Sequence, residues 1–375
     1  MTILLAPDKF KGSLTAQEVC AIAGDAIAAI DPSHRITAIP LADGGEGSCE
    51  LLTSFSGGSF TTVRVHDPLF RPIKAHYGIT KDGTTAFLEM AVASGLQLLK
   101  PPERNPSLTS TIGTGELMRH ALDHSVQQIV LGIGGSATND AGMGMATALG
   151  IQFFSDTGEL LEPIGKNLSF VHRIDTSLLH PRLAEVNITI FCDVDNPLHG
   201  AQGAAYTFAP QKGADRAMVI LLDTGLQHYE AILERTFHKP VNFPGAGAGG
   251  GLPASLQAIT NLNVRAGIDF IMEFTRLEEH IREADLIITG EGKIDEQTLH
   301  GKVVNGVAKL ARKHHKPLVA IAGKSELTPQ QTEELGIRKI ITIANASTPE
   351  EQAMQNAGSL LKKRILNDLK PFLIS

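Results

Sequence analysis

The sequence has few cysteines, no surplus of positive charge and no long apolar run, and each shortage closes off a class of function. Cys20, Cys49 and Cys192 lie far apart, with no C-x-x-C pair and no metal-ligand spacing. Such usage is that of a reduced intracellular protein, not of a disulfide scaffold or a zinc site. A formal net charge of −7 argues against broad contact with nucleic acid, although a pocket can still be locally positive. The apolar run at the N-terminus ends at Asp8 and Lys9, too early for a secretory signal, and no stretch approaches transmembrane length. The expected compartment is therefore the cytoplasm, with no membrane partner.

Several catalytic signatures are missing as well. There is no H-E-x-x-H, no G-x-S-x-G and no eukaryotic protein-kinase motif set. Gly323-Lys-Ser325 has the ending of a G-x-x-x-x-G-K-[ST] loop, but Leu318 stands where its first glycine belongs.

What is present is ordinary globular material: 375 residues, 42% apolar and 19% charged, enough for roughly two or three domains with a sizeable core. The 37 glycines gather at the ends of apolar runs, as backbone does when it must approach a ligand closely. Thr2–Pro7 reads as a buried strand. Thr15 and Glu18 form a capping-box pair ahead of Val19, Ile22, Ala23, Ala26, Ile27 and Ile30, and Asp31-Pro32 ends that helix. Arg35–Ala42 follows as a strand, which completes a βαβ unit and implies parallel pairing. The C-terminal part repeats the rhythm: strands at Asp285–Thr289, Pro317–Ala322 and Lys339–Ala344, a helix marked by Val303, Val304, Val307, Leu310 and Ala311, and a last helix after Pro349.

The middle differs. Phe60–His66, Ile73–Ile79 and Thr85–Met90 resemble a β-meander. Strands are expected at Gln128–Ile133 and Asn187–Cys192, with a long helix after Gly213. The fold class read from this pattern is α/β in two domains. A Rossmann-like parallel-sheet domain is expected from residues 1–60 and 280–375, with a mixed α/β domain, 61–279, inserted.

The sharpest motif is Gly132-Ile-Gly-Gly-Ser-Ala-Thr-Asn-Asp140, after a strand and expected to open onto a helix. Consecutive glycines can form an anion-binding nest, helped by a helix N-terminus. Gly134, Gly135, Ser136, Thr138 and Asn139 are the candidate phosphate binders, and Asp140 either holds a metal or caps the helix. Pro7-Asp-Lys-Phe-Lys-Gly-Ser-Leu14 follows the first strand, where open parallel sheets bind ligands. Lys9, Lys11 and Ser13 are either ligand contacts or turn residues in solvent. In Ala42-Asp-Gly-Gly-Glu-Gly47, Asp43 and Glu46 either meet a ligand or form a capping box. Cys192-Asp-Val-Asp-Asn-Pro197 and Thr289-Gly-Glu-Gly-Lys-Ile-Asp295 place more carboxylates at strand ends. The Gly-rich stretch 244–253 is either a hinge or a surface over phosphates. Phosphoryl transfer needs positioning, charge neutralisation, magnesium and a base near the acceptor, and these residue types supply such parts.

These segments, with Thr111-Ile-Gly-Thr-Gly115 and Pro210-Gln-Lys-Gly-Ala214, occur in an order that resembles the type I (bacterial glycerate 2-kinase) glycerate kinases over nearly the whole chain. The resemblance implies phosphorylation of D-glycerate by ATP with Mg²⁺, usually at the 2-hydroxyl, in a two-domain protein with a cleft between domains. The partners are then D-glycerate and ATP, with no nucleic acid or membrane, and a homodimer is an assembly open to it. On this reading Asp193 is the candidate base and Asp295 its competitor, while Lys11 or Lys293 meets the phosphoryl group or the substrate carboxylate. Lys9, Ser13, Asp43, Glu46 and Asn196 are substrate candidates, and Asp195, Glu291 and Asp140 are metal candidates.

Two rival readings stand beside this one. Gly132 to Ala137 also fits G-x-G-x-x-A, with Asp156 near the place of a ribose-binding carboxylate, which describes a nicotinamide-dependent dehydrogenase. A ligand-binding regulator with a kinase-like site but no turnover is the other, disfavoured because the charged motifs are intact.

Overall fold

A computed structural model describes residues 1–300, 302–344 and 348–373, with the side chains of His300 and Glu350 left aside. In chain order the strands are β1 (Thr2–Pro7), β2 (Arg35–Ala38), β3 (Ser59–His66), β4 (Pro72–Ile79), β5 (Thr85–Glu89), β6 (Gln128–Gly132) and β7 (Gln152–Phe154). They continue with β8 (Arg173–Asp175), β9 (Asn187–Phe191), β10 (Leu262–Arg265), β11 (Leu286–Ile294), β12 (Leu318–Ser325) and β13 (Ile337–Thr342).

Residues Met1–Asp43 with Gly267–Ser375 form one compact unit, and Gly44–Ala266 the other. The helix Ser48–Phe55 packs on β4 and β5, while the helices Gly267–Phe274 and Leu277–Glu283 pack on Val303–Lys313. Each therefore goes with the unit whose core it covers, whereas the sequence reading set the changes of domain at 60/61 and 279/280.

The first unit holds one sheet in the order β13-β12-β11-β1-β2, and every pair in it is parallel. Parallel strands are covered on both faces, so they read as unbroken apolar runs. Ile3, Leu4, Leu5 and Ala6 of β1 are accordingly all buried. Ile3, Leu5 and Ile288 pack with Val19, Ala23 and Ile27 from the helix Ala16–Ile30 and with Leu361 and Ile365 from the C-terminal helices. The Thr15 cap forms as its sequence predicts: the Glu18 amide donates to Thr15 Oγ1 at 3.2 Å, and the Thr15 amide donates to Glu18 Oε2 at 2.8 Å.

Two strands differ from expectation. β2 stops at Ala38, although the amides of Ile39 and Leu41 still donate to Leu5 and Pro7. Pro40, between them, has no N–H to continue a ladder. β11 runs on past Thr289, because Lys293 and Ile294 stay in register with Lys324 and Ser325 of β12. Glu291 and Lys293 are strand residues, not loop residues.

The second unit has a mixed sheet in the order β10-β9-β6-β5-β4-β3. β3, β4 and β5 form the antiparallel meander, and β5, β6, β9 and β10 run parallel. The helix Arg216–Phe237 buries Val219, Leu222, Leu226, Tyr229 and Leu233 at helical spacing against this core. β7 and β8 form a separate two-stranded antiparallel sheet. Among the described residues no helix is long and apolar enough to cross a membrane.

Candidate active site

In the second unit, β5, β6 and β9 end side by side, with Glu89 opposite Gly132 and Gly132 opposite Phe191. The carboxyl edge of parallel strands is where open sheets bind ligands. The segment 133–140 leaves β6 there. Gly134 and Gly135 are exposed, and Ser136 through Asp140 are buried. Its carbonyls are engaged from within: Leu96 N–H donates to Gly135 O and Thr109 Oγ1 to Ala137 O, both at 2.9 Å, and Lys212 Nζ donates to Thr138 O at 2.7 Å. The Gly135 carbonyl is thus turned inward, and two consecutive exposed glycines, with Gly135 at positive φ, are the kind of backbone from which an anion-binding nest is built. Thr138 Oγ1 and both side-chain polar atoms of Asn139 are buried without a hydrogen-bond partner. Native proteins seldom leave such groups unpaired, so these mark a place built for something further.

The helix expected directly after this segment begins only at Met143 and runs to Ala148. Ala141 and Gly142 both have positive φ, which holds the chain out of a right-handed helix. Asp140 is therefore not the N-cap residue, which is Gly142, although its carboxylate still receives one first-turn amide. Its Oδ2 accepts from the Thr111 amide, Thr111 Oγ1 and the Gly144 amide, and its Oδ1 from the Gly142 amide. Burial pushes its carboxyl upward against those donors. A carboxylate so surrounded organises backbone and has little left for a cation. The Gly-rich stretch is also packing: a Cβ on Gly250 would meet Thr138 O at 2.0 Å, and the Ala141 amide donates to Gly250 O.

On the next strand end, Asp193 and Asp195 are exposed. Asn196 is occupied within its own loop: its Nδ2 donates to Gln202 O at 2.7 Å, and its carbonyl accepts from Gly245 and Gly247. Glu46 is exposed, and the helix after it starts at Ser48 with Gly47 as its cap residue. The capping-box reading of Asp43 and Glu46 therefore fails. The Gly44–Gly47 turn is instead held by Glu89, whose Oε1 accepts from the amides of Gly47 and Cys49 at 3.0 and 2.9 Å.

In the first unit, the segment after β1 meets the end of β11. The Asp8 amide donates to Gly290 O, and Asp8 Oδ1 accepts from the Lys9 amide at 2.6 Å. Burial, with the neighbouring charges of Asp43 and Glu291, pushes the Asp8 carboxyl up to about 7. Glu291 is raised too, first by burial, and its Oε1 accepts from Thr298 Oγ1 at 2.6 Å. Lys293 Nζ lies 3.1 Å from Asp295 and 2.8 Å from Glu326, which keeps the Asp295 carboxyl low. Lys11 is exposed, Lys9 is half-buried, and Ser13 Oγ donates to Phe10 O at 2.9 Å. Among the described residues no three carboxylate, imidazole or thiol groups converge as a ready-made cation site.

Three residues escaped the sequence reading. Asp8 and Lys212 sit inside quoted motifs but look like surface residues until their burial is known. Glu89 carries no local signal.

The dehydrogenase reading does not survive. A dinucleotide fingerprint needs a helix that leads back to a parallel neighbour of its strand. Here the helix is short, and the next strand, β7, lies outside the sheet.

The profile of the glycerate kinase family matches residues 3–369. A glycerate kinase of Bacillus cereus is 44% identical over 358 residues, covering 95% of this chain and 94% of that one. The glycerate 2-kinase of Escherichia coli is 41% identical over 358 residues, again 95% and 94% of the two chains. The crystal structure of a protein named glycerate kinase 2 from Salmonella typhimurium superposes with a TM-score of 0.90 at 40% identity, over 100% of this chain and 98% of that one. These matches extend over nearly the whole chain, and it belongs to the glycerate kinase family.

Proposed function

We propose that this protein transfers the terminal phosphoryl group of ATP to the 2-hydroxyl of D-glycerate in the cytoplasm, giving 2-phosphoglycerate and ADP. The observation that carries the nucleotide part is the unpartnered, buried Thr138 and Asn139 side chains behind the exposed Gly134–Gly135 edge. Those groups, with Ser136, would take the phosphate oxygens.

The acceptor hydroxyl attacks phosphorus as its proton passes to a carboxylate, and the bond to the ADP oxygen breaks. Asp193 is the proposed base, since its exposed loop lets it reach an acceptor. Asp295 is the weaker candidate, because Lys293 holds it ionised and so lowers its basicity. Lys11 and Lys293 would meet the phosphoryl group or the substrate carboxylate, with Lys9 and Ser13 beside the latter. Asp43, Glu46 and Asn196 would meet substrate hydroxyls. Magnesium, when bound, neutralises phosphate charge, and it commonly binds through one or two carboxylates plus phosphate oxygens. Glu291 and Asp195 are hard oxygen donors suited to that.

³¹P NMR of the protein with Mg-ATP and D-glycerate tests the whole reading. A 2-phosphoglycerate resonance supports it. A 3-phosphoglycerate resonance keeps the kinase and overturns the regiochemistry, and no new ester from folded protein overturns the substrate.

A further inference from the structure

Lys212 is 2% exposed. It sits in the turn Pro210–Lys212, where its amide donates to Ala209 O and the Gly213 amide donates to Pro210 O. Its Nζ donates to Ser136 Oγ and to Thr138 O, both at 2.7 Å. A neutral amine has two N–H groups and one lone pair, so these two contacts satisfy it without a charge. An ammonium buried here would need a partner. Asp140 is the charged group acting on it, and that carboxylate already accepts from four donors. Tyr229, on the neighbouring helix, is driven far up by burial. Arg104 packs beside Gly213, with its Nε buried and without a hydrogen-bond partner.

We propose that Lys212 is a positioning residue for nucleotide phosphates. It clamps the Ser136 hydroxyl and the Thr138 carbonyl, and it supplies a positive charge when phosphate oxygens settle on the Gly134–Gly135 edge. This rests on the reading of that edge as the nucleotide site.

Burial has pushed the Lys212 ammonium down to about 7, so above neutrality the unliganded lysine is largely uncharged. A nearby anion favours the charged form and raises it again. Nucleotide binding at pH 8 therefore draws a proton from solution, and affinity weakens as the pH climbs.

The test is calorimetric titration with Mg-ADP at pH 8 in two buffers of different protonation enthalpy, which counts protons taken up. Wild type should take up a large fraction of a proton. Lys212→Met should take up none and bind about tenfold or more weakly, as loss of a charge-assisted contact implies. Lys212→Arg, always charged, should keep part of the affinity and also take up none. No uptake by wild type, or undiminished uptake by Lys212→Met, overturns the proposal, and the wild-type count decides if the methionine variant does not fold. Gly134→Val separates this from the nucleotide reading, because a Cβ there meets nothing within 4 Å and the fold should tolerate it. Unchanged Mg-ADP affinity in Gly134→Val overturns the nucleotide reading itself. Weakened binding there, with Lys212→Met unaffected, overturns only the role of Lys212.

Discussion

Asp140 and Thr111 are joined twice: Asp140 Oδ2 accepts from the Thr111 amide at 2.8 Å and from its hydroxyl at 2.7 Å. Thr111 Oγ1 in turn accepts from the Met145 amide at 2.8 Å, so the pair ties the start of the helix Ile112–Asp123 to the start of Met143–Ala148. Asp140→Asn turns an NH₂ group or a weaker acceptor toward three donors, and it should destabilise the fold by about 3 kcal/mol. Urea unfolding followed by circular dichroism measures this. Unchanged stability with a loss confined to magnesium-dependent activity would return Asp140 to the metal role.

Asp8 makes stability depend on pH. Its folded-state carboxyl, near 7, lies above the ordinary value of 3.8, so the folded state binds the proton more tightly than the unfolded state does. The resulting penalty is absent below about pH 4, grows as pH rises, and is complete above about pH 7. Asp8→Asn should match wild type near pH 4 and exceed it in stability by pH 8, by urea titration at both pH values. An equal difference at the two would remove Asp8 as the source.

Asp193→Ala should fold normally, because the residue lies in an exposed loop. Removal of a general base typically lowers turnover by about two to four orders of magnitude. Near-full kcat in this variant would take Asp193 out of the base role and move attention to the strand end that carries Asp295.

Lys293→Met removes a half-exposed side chain paired with Asp295 and Glu326. Exposed pairs contribute little to stability, so the unfolding midpoint should stay nearly unchanged. A contact to a substrate anion matters more, and KM for D-glycerate should rise about tenfold or more. A shift in the midpoint with KM unaltered would make Lys293 purely structural.

Gly250→Ala tests the packing beneath the phosphate-side loop. Gly250 has φ +75°, and a Cβ on it would sit 2.0 Å from the Thr138 carbonyl. Strain of both kinds should cost about 3 kcal/mol or more, seen as a lower thermal midpoint. A midpoint equal to wild type would mean that the 133–141 segment shifts to make room, so that Gly250 is not needed for the close approach to Thr138.

The regular elements were largely legible because their signals are local. Thr15 and Glu18 announced a helix start, and the apolar run of β1 announced a strand buried on both faces. β11 extends beyond what its local pattern suggests, because Gly290 and Gly292 look like a loop. A Cβ on Gly290 would meet Ile321 O at 2.2 Å, so that glycine serves close approach between strands. The helix after Asp140 starts later than the motif suggests for a comparable reason, since the left-handed Ala141 carries no local mark.

By itself the sequence determined the α/β class and the main strands and helices at the two chain ends, because periodicity and caps act over short spans of chain, and its ordered motifs carried the resemblance to the family. Tertiary structure alone decided which of those residues are buried and what they touch. It turned Asp140 from a metal candidate into a backbone organiser, paired Lys293 with Asp295 and Glu326, and brought Lys212 beneath Ser136 across 76 residues of chain. Desolvation and hydrogen-bond geometry belong to the packed environment, and residues distant in sequence create that environment only when the chain folds.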